Sequence, residues 1–170
     1  ANIVGVCTAG LTKTGGFGKF VSYAIIADQK ATNVPGGSSS TGTFNTRDLN
    51  TELADPDGIV TISSNQFTLQ AGSYLIKASA PAYKANSHQI LINNVTDSAV
   101  VAVGTPEYAG AGESVGTRAF ATGRTTITGA KAFDIRHRVG NAETTYGLGV
   151  DANYDLQPSI YTIVEIFKEA

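Results

Sequence analysis

Hydrophobic residues in this chain recur in short runs that are typical of β-strands, and the last run, Ile160 to Phe167, is apolar on both of its sides. Side chains alternate between the two sides of an extended chain. One side of this run is formed by Tyr161, Ile163 and Phe167, with Glu165 among them. The other side is formed by Ile160, Val164 and Ile166, with Thr162 among them. Such a strand needs cover on both sides, from the core of its own domain and from a second layer or a second copy of the chain.

Similar runs, separated by turns rich in glycine, proline and asparagine, predict an all-β sandwich or barrel. The predicted strands are Phe20–Asp28, Gly42–Leu49, Ile59–Ile62, Phe67–Leu69, Ser73–Ala80, His88–Asn93, Ala99–Gly104, Thr117–Ile127, Lys131–Val139, Tyr146–Tyr154 and Ile160–Lys168. Ser73–Ala80 and Lys131–Val139 alternate between apolar and polar residues, which indicates a sheet with one hydrated face.

The first predicted strand shares with the last the property of being apolar on both sides. Val21, Tyr23 and Ile25 lie on one side, and Ala24 and Ile26 lie on the other. If the first and last strands are neighbours within one sheet, that sheet has an apolar outer surface, which is the property of a contact between subunits. We therefore expect the terminal strands to take part in an interface between copies of the chain.

The chain length of 170 residues fits one domain with a substantial core. Residues 1–19 differ from the rest because they are rich in glycine and carry one short apolar patch, formed by Ile3, Val4 and Val6. We expect an N-terminal arm or linker over residues 1–19 and a folded domain over residues 20–170.

Composition narrows the classes of function. Charged residues make up only 15% of the chain and the formal net charge is -2, which gives no electrostatic reason to expect nucleic acid. No run of about 18 apolar residues predicts a membrane span, and no signal peptide is visible. The single cysteine, Cys7, cannot form an internal disulfide. We expect a protein that is made in a cytoplasm, held together by packing and not inserted into a membrane.

Residues with catalytic or metal-binding chemistry are too scattered to predict an active site. Gly147–Ala152 has the glycine spacing of a dinucleotide-binding turn, but a β-rich context follows it where a helix would be required. His88, His137 and Cys7 are far apart, which makes a transition-metal site improbable in sequence terms. We expect His137 to be structural, either satisfied by hydrogen bonds or lining a subunit contact. No enzymatic activity, cofactor or metal is predicted.

Several segments, taken in order, resemble a known family. They are Tyr23–Ile26, Gly42–Thr51, Ser64–Ile76, Ala78–Tyr83, Asp134–Arg138, Gly147–Val150 and Tyr161–Lys168. Together they resemble the C1q/TNF-like jelly-roll modules found in bacteriophage fibre and other virion proteins. The resemblance extends from about Tyr23 to Lys168 and leaves residues 1–19 outside it.

The resemblance implies an all-β, antiparallel jelly-roll sandwich of ten strands, assembled as a compact homotrimer. In that family the N- and C-terminal strands lie in the inner sheet, whose outer surface meets the neighbouring subunits. The candidate interface residues in this chain are Tyr23, Ile25, His137, Tyr161, Ile163, Val164 and Phe167. Which side of each terminal strand meets the neighbour stays open at this point. Arg47 and Asp48 are expected to form an ion pair or a loop anchor.

The resulting functional hypothesis is a non-enzymatic structural or adhesion module located in a phage virion. The leading version is a fibre or tail-fibre tip that contacts a receptor or glycan on the host surface. The alternative is a capsid decoration or head-fibre protein, anchored to other virion proteins through residues 1–19 with Ile3, Val4 and Val6. A carbohydrate-active enzyme on a jelly-roll scaffold and a host-encoded C1q-like binding module are further alternatives.

Overall fold

A computed structural model describes residues 20–154 and 157–170, which form twelve β-strands and, within those ranges, no helix. The strands are β1 (Phe20–Lys30), β2 (Phe44–Thr46), β3 (Thr51–Ala54), β4 (Val60–Ser63), β5 (Gln66–Leu69), β6 (Gly72–Tyr83), β7 (Asn86–Asn94), β8 (Ala99–Val103), β9 (Glu107–Ala109), β10 (Gly116–Ile127), β11 (Lys131–Val139) and β12 (Ser159–Glu169). The predicted arm over residues 1–19, with Ile3, Val4 and Val6, lies outside the described residues.

The strands form two antiparallel sheets. The first, called sheet A here, has five strands in the order β10-β6-β12-β1-β3. The second, sheet B, has seven strands: β4-β5-β11-β7-β8 form its main path, β2 pairs with β11, and β9 pairs with β7. Most neighbours within a sheet are distant in sequence, as is usual when strands cross between the layers of a sandwich.

The main hydrophobic core fills the space between the sheets, and a smaller cluster is formed by Ala82, Ala85, Ala109 and Val139. Sheet A contributes Ala24, Ile26, Tyr74, Ile76, Ala78, Val164 and Ile166. Sheet B contributes Phe67, Leu69, Ile90, Ile92, Phe133 and Ile135, and the rings of Phe67 and Phe133 stack with centroids 5.5 Å apart. The alternating residues of the strands therefore divide between this core and the outer surfaces, and the all-β antiparallel sandwich predicted from the sequence is confirmed.

The first and last strands lie side by side in the middle of sheet A. Tyr23 is directly opposite Phe167, and Ile25 is opposite Glu165. β12 is also paired with β6 on its other edge, where Phe167 is opposite Leu75. This pairing meets the condition under which the sequence predicts an apolar outer surface for the sheet.

The predicted strand over Tyr146–Tyr154 is wrong, because this segment is an irregular loop. Its alternating apolar residues do not share a face: Leu148 is buried, whereas Val150 is exposed. Gly149 has φ +135°, a backbone conformation that interrupts a strand. The loop is held by backbone bonds from the Gly36 amide to the Gly149 carbonyl (2.9 Å) and from the Leu148 amide to the Gly37 carbonyl (2.9 Å).

Two short strands were not expected, and one expected strand is shorter. Thr51–Ala54 and Glu107–Ala109 pair with the edges of longer strands, although neither shows a strand-like run of apolar residues. The predicted strand over Gly42–Leu49 is reduced to Phe44–Thr46. Pairing with a neighbouring strand defines these elements more than their own sequence does.

Candidate functional site

The outer face of sheet A carries apolar side chains that the rest of the chain leaves partly uncovered. These side chains come from four adjacent strands and are Phe120, Leu75, Ile163, Phe167, Tyr23 and Ile25. Phe120, on the edge strand β10, is 54% exposed, and Tyr23, on the inner strand β1, is 44% exposed. Such exposure of large aromatic side chains marks a candidate contact surface. We call this surface the outer face.

The strand register makes the outer face continuous. Leu75, Phe167 and Tyr23 follow one another across β6, β12 and β1. Two rows away, Phe120 is opposite Ser79, and Ser79 is opposite Ile163. The row between them holds Lys77, Glu165 and Ile25. Directly opposed residues on one face of a sheet lie close enough for their side chains to touch. The apolar side chains therefore form one patch rather than isolated exposed residues.

A pair of opposite charges lies in the centre of the outer face. Lys77 Nζ and Glu165 Oε2 are 3.5 Å apart, and both side chains are about half exposed. In water such a pair contributes little to stability. Beside it is a shallow cavity of about 130 Å³, with Phe120, Ser79 and Ile163 in its walls. The patch therefore contains a shallow cavity and an ion pair whose two charges cancel.

The predicted interface residues separate into two groups. Tyr23, Ile25, Ile163 and Phe167 lie on the outer face. Val164, His137 and Tyr161 are covered by the chain itself.

Each of these three residues has its own reason for being covered. Val164 points into the core between the sheets. His137 lies in the interior beside His88. Tyr161 starts on the outer side of β12, but its hydroxyl donates to the Val34 carbonyl at 2.7 Å, and the loops at its end of the sheet cover the ring to 3% exposure.

Sequence reasoning missed Leu75 and Phe120. Both alternate with buried residues, but their neighbours along the strand on the same side are polar, such as Lys77 next to Leu75 and Thr122 next to Phe120. Their strands therefore resemble strands with one hydrated face. The signal that joins them to the patch is the strand order, because β6 and β10 continue the sheet from β12.

At one end of the sandwich, a buried arginine connects sheet A to a neighbouring loop. Arg47 has no exposed surface. Its Nε donates to Thr162 Oγ1 at 2.8 Å, and its Nη2 donates to the Leu148 carbonyl at 2.7 Å. Burial lowers the pKa of Arg47 to about 10, and the carboxylates of Asp28 and Asp48 oppose that change. At neutral pH the guanidinium is charged and acts as the loop anchor that the sequence suggested.

Arg47 belongs to a cluster of buried and half-buried charges. Asp28 is fully buried, with Lys30 Nζ 3.2 Å from its Oδ1. Lys30 also pairs with Asp48. Burial raises the pKa of Asp28, and the Lys30 ammonium partly opposes that rise. These ion pairs connect β1 to the segment that follows β2, which is a structural role.

The two histidines form a buried pair. His88 Nδ1 and His137 Nε2 are 2.9 Å apart, and His88 Nε2 is 2.7 Å from Thr117 Oγ1. Burial lowers the pKa of His137 to about 2, with the nearby Arg47 and His88 adding to the effect, and burial also lowers the pKa of His88. Both rings are neutral at neutral pH. In the parts of the chain that the structure describes, no group of three or more histidine, cysteine, aspartate or glutamate side chains is placed to hold a metal ion.

Solved structures share this fold at low sequence identity. Murine APRIL superposes with a TM-score of 0.54 and 8% identity, over 86% of this chain and 98% of that chain. The globular domain of zebrafish complement 1qA protein superposes with a TM-score of 0.52 and 12% identity, over 86% of this chain and 96% of that chain. No protein-family model matches the chain, and no curated protein matches it in sequence. The chain therefore has the C1q/TNF-like jelly-roll fold that the sequence resemblance implied.

The described residues also bear on the expectation about membranes. Residues 20–154 and 157–170 contain no helix that is long and apolar enough to cross a bilayer.

Proposed function

We propose that this chain is a non-enzymatic, homotrimeric adhesion module of a bacteriophage virion, acting as a fibre or tail-fibre tip that contacts the host surface. The observation that carries the proposal is the uncovered apolar patch on the outer face of sheet A. In this proposal the patch is the trimer interface, with Tyr23, Ile25, Ile163 and Phe167 from the terminal strands and Phe120 from β10.

The composition of the patch supports a permanent contact between copies of the chain. Each Å² of apolar surface removed from water contributes about 25 cal/mol, so covering these side chains favours assembly. Lys77 and Glu165 pair within the chain, so neither enters the interface as an isolated charge. The cavity beside Phe120 has room for a side chain of a neighbour. An interface of this kind resembles a domain core divided between subunits.

One end of the sandwich carries the first and last residues of the folded domain and the other end carries loops, an arrangement that suits a tip. Phe20 is opposite Glu169 in the β1–β12 ladder, so both ends of the domain lie together. Lys30 is opposite Ser159 at the other end of the same ladder. We call that second end the distal end; its loops include residues 31–43 and 140–154. A module attached through residues 1–19 would present the distal end away from its attachment.

A trimer would present three copies of each distal loop. Even weak contacts then combine, because the second and third binding events become intramolecular. Adhesion by this route needs no deep pocket and no turnover of a substrate.

The alternative proposal is a capsid decoration or head-fibre protein. The same polarity supports it, because residues 1–19 could join the shell at the end that carries Phe20. The apolar residues Ile3, Val4 and Val6 would then contact other virion proteins.

Four measurements test the proposals. Light scattering should give three times the mass of the chain; a stable monomer would overturn the assembly. Purified trimer should bind susceptible host cells and block infection. The absence of competition at saturating protein would overturn the proposal that the chain is a fibre tip.

Deletion of residues 1–19 distinguishes the alternative, since a decoration protein would lose attachment to empty capsids while remaining a trimer. Host polysaccharide should stay intact in the presence of the protein, and its cleavage would overturn the non-enzymatic assignment.

A further inference from the structure

A cleft at the distal end combines aromatic rings with polar side chains. It has a volume of about 480 Å³ and is lined by Asn33, Pro35, Tyr83, Tyr146, Val150 and Asp151, with Asn153 at its rim. We propose that this cleft binds an uncharged pyranose sugar of a cell-surface glycan. The inference rests on the proposed adhesion function and names the class of ligand that the tip would recognise.

The two tyrosines form a corner that suits a sugar ring. The ring centroids of Tyr83 and Tyr146 are 6.3 Å apart, and the ring planes meet at 79°. Tyr146 is 38% exposed. One face of a pyranose presents C–H groups that pack against an aromatic ring, while its hydroxyls project around the edge. Tyrosine suits both, because it offers an apolar ring and a polar hydroxyl.

Polar side chains stand on the other walls of the cleft. Asp151 is half-buried, whereas Asn33 and Asn153 are exposed. The Asp151 carboxylate can accept hydrogen bonds from two neighbouring sugar hydroxyls, and the amides can both donate and accept. The Lys84 ammonium, whose Nζ lies 5.4 Å from the centroid of the Tyr83 ring, balances the Asp151 carboxylate. The cleft therefore favours neither sign of charge, which is why the proposal is restricted to uncharged pyranoses.

The floor of the cleft is held by hydrogen bonds rather than being a loose loop. Gly36 and Gly149 are joined through their backbones, and the Tyr83 amide donates to the Gly147 carbonyl at 3.1 Å. The Glu143 carboxylate accepts from the amide of Tyr146. Buried Arg47 donates to Leu148 from below. A site that is ordered before binding loses less conformational entropy when its ligand arrives.

The size of the cleft favours a sugar over a protein surface. Its volume lies within the range of about 300–1,000 Å³ that is typical of small-molecule sites, whereas a stable protein contact buries roughly 800 Å² on each partner. A second cleft of about 590 Å³ shares Tyr83 and Val150 with the first and continues towards Thr117. That second cleft continues the outer face, because its Pro81 and Arg118 pair one step beyond Ser79 and Phe120, so the sugar is assigned to the first cleft alone.

Saturation-transfer NMR on the full chain tests the proposal directly. The probes are the methyl pyranosides of glucose, galactose, mannose and N-acetylglucosamine. At least one should receive saturation, concentrated on the C–H protons of one face of the ring. Tyr146→Ala and Asp151→Asn should each lower the association constant about tenfold, as truncation of a binding hot spot does. Tyr108→Ala removes a tyrosine that is 63% exposed on β9, away from the cleft, and should leave binding unchanged.

The failure of this inference is distinguishable from failure of the proposed function. Light scattering and host-cell binding are measured on the same samples. If the trimer binds cells and Tyr146→Ala binds them equally well, the sugar site is wrong and the adhesion function stands; the partner would then be a surface protein that contacts other loops. If no probe receives saturation, the sugar site is also wrong. If the unmodified chain is a monomer that binds no cells, the proposed function itself fails.

Discussion

His88 and His137 share a direct contact between ring nitrogens, 2.9 Å apart, in the interior of the sandwich. Only one of these two nitrogens can carry the proton of the hydrogen bond between them. Protonation of either ring would place a cation next to the other histidine. Arg47 lies close enough to disfavour protonation of both rings, while Glu107 favours protonation of His88. The surroundings of both rings therefore favour the neutral form of the pair.

This contact predicts loss of stability in mild acid. The folded-state pKa of each histidine is lowered from its ordinary value of 6.5. Below about pH 6.5 the unfolded chain binds protons that the folded chain does not, so the free energy of unfolding falls with falling pH, by up to about 1.4 kcal/mol per pH unit for each histidine. Chemical denaturation at fixed protein concentration, repeated between about pH 7.5 and pH 5, measures how the free energy of unfolding changes with pH.

Substitution separates the histidines from other acid effects. The chain has two histidines, so His137→Gln should reduce the pH slope and the double replacement of His88 and His137 by glutamine should remove most of it. Asp28 works in the opposite direction, because its raised pKa costs stability at neutral pH and that cost disappears as pH falls through the folded-state pKa. An unfolding free energy that stays flat down to pH 5 in the unmodified chain would contradict the prediction.

A charge on the outer face should dissociate the assembly. Phe120→Asp places a carboxylate at a position that is 54% exposed in the single chain, so the fold itself should tolerate it. In a trimer interface the same carboxylate would be buried without a partner, at a cost of several kcal/mol. Light scattering should then report a monomer at concentrations where the unmodified chain is a trimer.

The matched control for that change is Phe44→Asp. Phe44 is 41% exposed on β2 of sheet B, where β2 pairs with β11. This variant should keep the mass of the unmodified protein. If both variants dissociate, or neither does, the outer face of sheet A is not the interface.

Removal of the buried guanidinium should loosen the distal end. Arg47→Met deletes the hydrogen bonds to Thr162 and Leu148 and leaves their oxygens buried. We expect a loss of about 3 kcal/mol in the free energy of unfolding, because the change breaks a buried polar network. Hydrogen exchange should accelerate at the amides of Leu148 and Gly149.

Arg138→Met provides the comparison for the arginine test. Arg138 is exposed and lies over the ring of Phe44, with its guanidinium carbon 5.6 Å from the ring centroid. A surface contact of this kind is worth about 0.5–1 kcal/mol. Equal destabilisation by the two substitutions would show that Arg47 has no special role.

Close packing of the distal loops predicts sensitivity to a single methyl group. A Cβ added to Gly36 would lie 2.5 Å from the Leu148 carbonyl oxygen, whereas one added to Gly129 would meet no atom within 4 Å. Gly36→Ala should therefore cost about 1–3 kcal/mol, as overpacking does. Gly129→Ala should change stability by less than about 0.5 kcal/mol. Thermal unfolding of the two variants side by side measures the difference.

The alternation of side chains showed that the terminal strands are apolar on both sides but not which side of each faces the core. Because β12 is apolar on both sides, the sequence alone could not separate Val164, which is in the core, from Ile163, which is outside. Tyr161 is covered through a hydrogen bond to Val34, a residue 127 positions away. Contacts of this length depend on the completed topology.

The distal loops were the least predictable part of the fold. Tyr146, Leu148 and Val150 alternate as strand residues do, yet their shape comes from bonds to the Gly36–Gly37 backbone and to Arg47. The cleft could not be predicted for the same reason. Tyr83 and Tyr146 are 63 positions apart in the sequence and meet only when their loops pack together. Their edge-on geometry follows from the fold, not from any local motif.

The pairing of β1 on both of its edges has a mechanical consequence. β1 is bonded to β12 along most of its length and to β3 at Ile25–Ala27. A force that enters at Phe20 and leaves through the distal loops runs along the strand, at right angles to the hydrogen bonds between strands. All of those bonds then carry the load together and must be sheared at once, instead of opening one after another. A tip built in this way would grip under tension for longer than one whose tether peels a strand from its edge.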